Sequence, residues 1–438
     1  GDVEPSPDVG GHPAADAKAR VQRSGGPQAH GCKSVEAGNS GLAHNNDLAV
    51  GLLDDAAAVV KKADVGKRYA AGGPTNREPL KHLSHAATVA QVGDQCLREG
   101  KVAPGRAIDG SDLVCMKATL GSSKGELLWW YKTLVPMKMF EVVAPIISRS
   151  SDSPEVIASR SADRIAKTIG TALKAEELVK DYSAKNFTGN SGTLALSTFQ
   201  AYKNRLATSF IGSLSLINGI ITTKSTLKLS DSKAIAQLVQ EYEAIAVPSG
   251  SRYTTLDQLV IDLKANPKSV TFIGGVAGGV DHVFMAKFLN VIQVDPLAAK
   301  YLPQTSGFDV VTKTLTDKSY VALSTSGDFV AQVNAGKLRV LGIASPEKVK
   351  WLKAKTLRAQ YIDVVYGNWY GIFLPPLYSE PQTNNFIHLL DVLHNSHIWL
   401  KTLEDYYWSE GYVGQKDFVA QIEAQTAEAK SIISLLGL

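Results

Sequence analysis

The chain has 438 residues, enough for about two or three domains of the usual size. With 44% apolar and 20% charged residues, its composition is ordinary for a soluble globular protein. A net charge of +4 without a dense Lys/Arg run gives no footprint for nucleic acid, and the longest charge-free apolar stretch, 206–223, is laced with Ser, Thr and Asn and reads as core rather than as a membrane span.

The first residues do not read as a signal peptide, and a start at Gly1 fits either a processed mature chain or a trimmed one, so compartment stays open on these grounds. Cys32, Cys96 and Cys115 show neither C-x-x-C nor zinc spacing, and either one disulfide with a thiol left over or free thiols fit. Residues 1–50, rich in Gly, Pro, Ala, Asp and His, read as an irregular arm. Short helices are predicted over 51–65 and 76–92. The second carries His82 and His85, a pair that lacks a nearby third ligand and reads as solvent-exposed rather than metal-binding.

Residues 112–134 pose the first chemical question. DLVCMKAT is strand-like, Gly121-Ser122-Ser123-Lys124-Gly125 fits G-x-S-x-G, and ELLWWYKTL is expected as a helix. Strand, turn and helix are the context of a nucleophile elbow, which makes Ser123 a candidate serine-hydrolase nucleophile, with His282, His388, His394 or His397 as possible bases. The rival reading is an ordinary Ser/Gly turn.

From Met139 onward strands and helices alternate, which argues for parallel sheets covered on both faces. FEVVAPII (140–147) is a buried-strand run, followed by a Ser-rich loop and a helix over 162–180 with Ile165, Ile169 and Leu173 on one face. KNFTGNSGTLALSTF (185–199) is a strand–turn–helix unit whose small polar residues sit at a helix start. SFIGSLSLING (209–219) is expected as another buried strand. A strand ending at Pro248 leads to a helix with a Thr254-x-x-Asp257 start and Leu256, Leu259, Val260 and Leu263 on one face, closed by Pro267.

TFIGGVAGGVDHVFMAKFL (271–289) then gives strand, glycine turn and helix. Gly274, Gly275, Gly278 and Gly279 let the backbone approach a ligand, and the helix start offers unpaired N–H groups and its positive dipole end. The spacing is neither the dinucleotide fingerprint nor a P-loop. Strands are predicted near 319–326, 338–344 and 367–376, helices near 329–335, over 382–395 through Phe386, Leu389, Leu390 and Leu393, and over 416–436.

Several of these stretches carry, in order, a family pattern. TGNSGTLALSTF resembles PGAGGT-x-G, IGGVAGGVDHVFMAKF resembles GGSAGGTDH, VNAGKLRVLGIASPEK resembles an A-G-K-l-R-x-L segment, and EYEAIAVPSGSRYTTLDQLVIDLKANP and GNWYGIFLPP also match. From about Phe140 to Leu438 the sequence resembles the substrate-binding (TctC/Bug) proteins of tripartite tricarboxylate transporters. The first-loop motif departs, keeping only Ser161-Ala162-Asp163, and Thr316 to Tyr320 replace a GGxVD segment.

The resemblance implies an α/β, two-lobed, periplasmic-binding-protein-like (Venus flytrap) fold with mainly parallel sheets. Lobe one would take 138–246 and 360–438, lobe two 247–359, with 1–137 an N-terminal extension. It implies a non-enzymatic, monomeric solute-binding protein, periplasmic or secreted, with no cofactor or metal. Such a protein hands an organic carboxylate (tri-, dicarboxylate or aromatic acid) to membrane transporter subunits. The expected ligand contacts are Asn190, Ser191, Gly192 and Thr193 in lobe one and Gly275, Val276, Ala277 and Gly278 in lobe two. Ser161, Asp163 and His282 are further candidates, with Asp163 alternatively capping its helix and His282 alternatively structural; Trp369 and Tyr370 read as core aromatics.

Overall fold

The computed structural model of the chain describes residues 90–438 apart from 104–106, 108–110, 147–160, 204 and 206. The arm over 1–50, the helix over 51–65, most of that over 76–92, His82, His85, Cys32 and the Ser-rich loop before Ser161 lie outside the described residues.

The described chain begins with a 3-stranded antiparallel sheet, β1 (Val102–Ala103), β2 (Leu113–Lys117) and β3 (Leu127–Trp130), in that order. ELLWWYKTL, expected as a helix, therefore contains a strand. Leu128 and Trp130 are buried while Leu127 and Trp129 are half-buried. That is a period of two, and aromatic side chains favour the pleat. A disulfide joins Cys96 to Cys115. Leu113, Leu128, Trp130 and Tyr131 share one buried cluster with Phe140, Ile165 and Phe386. The Tyr131 hydroxyl donates to the buried Asp391 carboxylate at 2.6 Å. This sheet is thus part of the core that follows it.

The main body opens with β4 (Phe140–Ile146), α1 (Ser161–Ala175), β5 (Tyr182–Thr188), α2 (Thr193–Ala201), β6 (Thr208–Ser213) and α3 (Leu214–Thr222). Ile165, Ile169 and Leu173 of α1 are buried as the periodicity requires. SFIGSLSLING, expected as one strand, divides at Ser213, whose hydroxyl accepts the Leu216 N–H at 3.1 Å and caps α3. A continuous apolar run does not by itself separate a buried strand from a buried helix.

The 16-residue β7 (Lys233–Pro248) comes next. It is followed by α4 (Leu256–Ala265), β8 (Thr271–Gly274), α5 (Val280–Val291), β9 (Lys300–Pro303), α6 (Gly307–Thr314), β10 (Tyr320–Thr325), α7 (Ser326–Asn334) and β11 (Leu338–Ile343). The capping box of α4 is Thr255 with Gln258, one residue later than the predicted Thr254–Asp257 start. The chain returns through β12 (Gly367–Leu374), α8 (Glu380–His394), α9 (His397–Asp405), β13 (Ser409–Val413) and α10 (Gln415–Leu435).

These strands form one two-lobed, 10-stranded sheet in the order β5-β4-β6-β12-β7-β10-β8-β9, with β11 and β13 also paired to β7. Pairing is parallel at the flanks, β4 with β5 and β6, and β8 with β9 and β10. It is antiparallel in the middle, against the expectation of mainly parallel sheets. The cause is β7, which serves both lobes: β12 and β13 run back against its first part, β10 and β11 against its second.

The register fixes where β7 changes partners. β12 pairs with β7 from Leu374 opposite Lys233 to Gly367 opposite Tyr242, and β10 takes over with Thr325 opposite Glu243. The last residue of β6, Ser213, lies opposite Tyr370, which lies opposite Val239. The carboxyl ends of the parallel strands of both lobes therefore point at one crossover, near Glu241 to Glu243. That is the edge at which open α/β sheets place their ligand sites.

Candidate functional site

In lobe two, β8 delivers the chain to the glycine turn and α5 begins directly after it. The turn closes on itself. The Gly275 N–H donates to Asp281 Oδ2 at 2.6 Å, the Gly278 N–H to His282 Nδ1 at 3.0 Å, and the Gly279 N–H to the Val276 carbonyl at 2.8 Å. The Gly275 carbonyl accepts the Tyr301 hydroxyl at 2.8 Å. Among the described residues the amides of Val276 and Ala277 have no such partner, and Ala277 is exposed. Gly278 holds φ +72°, a conformation that costs any other residue strain.

His282 is thereby placed in a structural role in this bend. Its ring stacks on Tyr301 at 4.0 Å. Burial pulls its pKa down to about 4. A neutral ring with Nδ1 free to accept an N–H is what the Gly278 contact requires. Burial, against the opposing Gly275 hydrogen bond, pushes the Asp281 carboxyl up to about 7.

In lobe one, the bend between β5 and α2 runs through Ser191 (φ 54°) and Gly192 (φ 89°), and the Gly192 N–H donates to the Gly189 carbonyl at 2.9 Å. Thr193 is buried at the first position of α2. Both α2 and α5 begin at a glycine with no side-chain cap, whereas α3, α4 and α6 are capped by Ser213, Thr255 and Ser306. α10 likewise starts at an uncapped glycine, Gly414, so such a start is not peculiar to α2 and α5; the first amides of any helix have no intrahelical acceptor.

The two bends are brought to one helix. A methyl group at Gly219 of α3 would stand 2.7 Å from the Ser191 carbonyl oxygen, and one at Gly278 would overlap Thr222 of the same helix. Gly219 and Thr222 are one turn apart, so Asn190 to Thr193 and Gly275 to Gly278 flank neighbouring positions of α3. Ser161 is the first residue of α1. Asp163 is fully buried, with its carboxylate taken by Asn186 Nδ2 at 2.6 Å and Lys167 Nζ at 2.8 Å. Trp369 and Tyr370 are buried in the core.

Sequence reasoning missed the floor of the crossover. Glu241 and Glu243 on β7 are both buried, and neither oxygen of Glu243 nor Oε2 of Glu241 has a partner. Burial pushes Glu241 up to about 7, opposed by the Arg164 guanidinium and reinforced by Asp328. Glu243 is raised well above its ordinary range by burial, then by Asp281, Asp328 and Glu241. Asp328, at the start of α7, accepts the Ser324 hydroxyl at 2.7 Å. The available signal was two glutamates at i and i+2 inside an otherwise apolar strand, QEYEAIAV.

The serine-hydrolase reading loses its context. Gly121 to Gly125 connect the antiparallel β2 and β3, not a strand and a helix. Ser122 of the turn is tied to the residue that follows α1: its N–H and hydroxyl donate to the buried Glu176 carboxylate at 2.8 and 3.0 Å. His388 stacks on Tyr131 at 3.8 Å and His394 on Tyr412 at 3.7 Å, and among the described residues no histidine bonds Ser123.

No family model matches the sequence. No curated protein matches it either. Solved structures do match its fold. A TctC solute-binding protein from Polaromonas is 17% identical, with 68% of this chain and 99% of that one covered at a TM-score of 0.55. MatC from Rhodopseudomonas palustris with bound malate is 14% identical over 68% of this chain and 100% of that one, TM-score 0.53. A further R. palustris protein with adipate is 14% identical over 69% of this chain and 98% of that one, TM-score 0.56. Among the described residues no helix is long and apolar enough to cross a membrane.

Proposed function

We propose that the chain is a solute-binding protein that captures an organic carboxylate between its lobes and presents it to a tripartite tricarboxylate-type transporter. The observation that carries this reading is the convergence of two uncapped, glycine-led helix starts on α3, beside the crossover of β7, with the amides of Val276 and Ala277 unpartnered. Donors of this kind hold an anion through short charge-assisted N–H···O⁻ bonds. Asn190 to Thr193 supply one half of the site and Gly275 to Gly278 the other, so closure about β7 completes it. His282 acts through the shape of the second bend. The malate and adipate carried by proteins of the same fold support a carboxylate ligand. The same fold, in proteins described as periplasmic, supports a periplasmic place of action.

The test is thermal unfolding of the full chain against succinate, malate, citrate, adipate, aspartate, glutamate and benzoate. A ligand of the native state raises the melting temperature by linkage. A rise with at least one acid, lost when Gly278 is replaced, is expected; no rise with any of them refutes the reading.

A further inference from the structure

β11 pairs with β7 along one side, and the other side of its first half is unpaired. The Ser249 N–H donates to the Lys337 carbonyl at 2.9 Å and the Ala344 N–H to the Glu243 carbonyl at 2.7 Å, with Arg339 opposite Val247 between them. Along a strand, successive residues turn their N–H and C=O to opposite sides. Arg339 therefore faces β7, while the main chain of Leu338 and Val340 faces away from it. Farther along, that outer side is occupied: the Ile343 N–H donates to the Lys355 carbonyl at 3.1 Å, and the Leu357 N–H to the Ile343 carbonyl at 2.8 Å. Among the described residues no such bond reaches Leu338 or Val340 from that side.

The unpaired stretch borders a groove of about 340 Å³ whose apolar lining is Val333, Leu338, Val340, Leu352 and Ala354. Its rim is basic. Lys337, Lys353 and Lys355 are exposed, and Arg339 is half-buried. The Arg339 guanidinium is held by two carbonyls, those of Tyr253 at 3.1 Å and Ser249 at 3.2 Å, and not by an acid. Among the described residues none of these four cations has an ion pair. Cations along a strand edge discourage pairing with a second copy of the same edge, and they attract a segment of opposite charge. An added strand gains main-chain hydrogen bonds, and its side chains alternate between the two faces of the sheet. Here one face offers Leu338 and Val340 and the other offers Arg339, so an alternation of apolar and acidic residues matches both.

We propose that the unpaired edge of β11 is a docking surface for an acidic, extended segment of another protein, which joins the sheet as a further strand. Its main chain pairs with Val340, its apolar side chains meet Leu338, Val340 and Leu352, and its carboxylates meet Lys337, Arg339 and Lys353. A flat anionic lipid surface would meet the lysines but would leave the Val340 N–H and the groove unfilled. The surface stands apart from the two glycine bends, and the inference is independent of what they bind.

The test uses a labelled peptide of alternating Glu and Val, followed by fluorescence anisotropy on the full chain at low salt. It is expected to bind at least tenfold tighter than the Lys–Val analogue and than a Glu–Val peptide methylated on alternate backbone nitrogens. Lys337→Glu with Lys353→Glu is expected to weaken it at least tenfold. Val340→Pro, which removes an outward N–H, is expected to do the same with the charges intact. Melting of each variant checks that it folds. Hydrogen exchange at Val340 is expected to slow when the Glu–Val peptide is added. No binding of that peptide overturns the proposal, as does equal binding of the methylated peptide, which would reduce the surface to plain charge attraction. Vesicles of anionic phospholipid that bind the chain and lose it in the lysine variant but not in Val340→Pro would assign the patch to a membrane instead. A Val340 amide already protected in the chain alone, or a dimer in sedimentation that Val340→Pro dissolves, would show the edge occupied and overturn it as well.

Discussion

Replacing Gly278 by alanine tests the bend that the proposed site depends on. Two costs follow from the geometry. The residue sits at φ +72°, and a non-glycine residue in that region costs about 1–2 kcal/mol. Its new methyl would overlap Thr222 Cγ2 and lie 3.3 Å from Leu438 Cδ1, an overpacking that costs about 1–3 kcal/mol. Together they predict a loss of about 3 kcal/mol, read by urea unfolding. The two parts are separable. Thr222→Ser removes Cγ2 but keeps the hydroxyl that donates to the Asn218 carbonyl at 2.9 Å. In a double-mutant cycle it is expected to return the overpacking part, about 1–2 kcal/mol, and to leave the backbone part. A Gly278→Ala loss below about 0.5 kcal/mol, the size of an ordinary surface change, would refute the strained bend. A Thr222→Ser that rescues nothing would refute the seating of the bend on α3.

Three further outcomes are expected. Glu241 has a pKa of about 7 in the fold against 4.5 free. It therefore contributes stability that is full below pH 4.5 and is lost as pH rises through 7, about 3 kcal/mol; Glu241→Gln flattens that limb. His282, at about 4 against 6.5, acts in the opposite sense, losing stability as pH falls from 6.5 toward 4, so His282→Gln steepens the net decline with rising pH, and a wild-type curve parallel to both variants refutes the assignment. The bridge from Cys96 to Cys115, at a separation of 19 residues, is worth about 3 kcal/mol to the part it closes; denaturant unfolding with and without reductant measures this, and coincident curves contradict it. A fluorophosphonate probe is expected to leave Ser123 unlabelled, because its turn joins two strands; labelling at Ser123 would return the hydrolase reading.

The parts legible in the sequence are those in which one local rule acts unopposed. The glycine turn before α5 could be read because strand, glycines and helix each leave a mark within a short window, and the faces of α1 and α8 could be read because their apolar residues keep the helical period. Where two rules gave the same composition, the reading failed. An apolar run served equally for β6 and α3 until Ser213 divided it, and LLWW was a strand because neighbouring strands used its alternation. Boundaries set by a single capping hydroxyl, as at Thr255, moved by one residue.

The crossover could not be reached by any local rule. It exists because β7 is long enough to leave one lobe and enter the other, and because the register with β12 and β10 brings the carboxyl ends of strands from distant parts of the chain to Glu241 and Glu243. In an isolated strand those two glutamates would merely mark a polar face. Only in the assembled sheet are they buried beside Arg164, Asp281 and Asp328, which come from three different helix starts. Ionised carboxylates are rarely buried without partners, since burial favours the neutral form by several kcal/mol. Keeping Glu241 and Glu243 there is a local cost that packing does not require, because the same strand buries Ile245 and Val247 immediately beyond. That cost falls where β7 passes from pairing with β12 to pairing with β10, and burial holds Glu243, the more strongly shifted of the two, toward its neutral form.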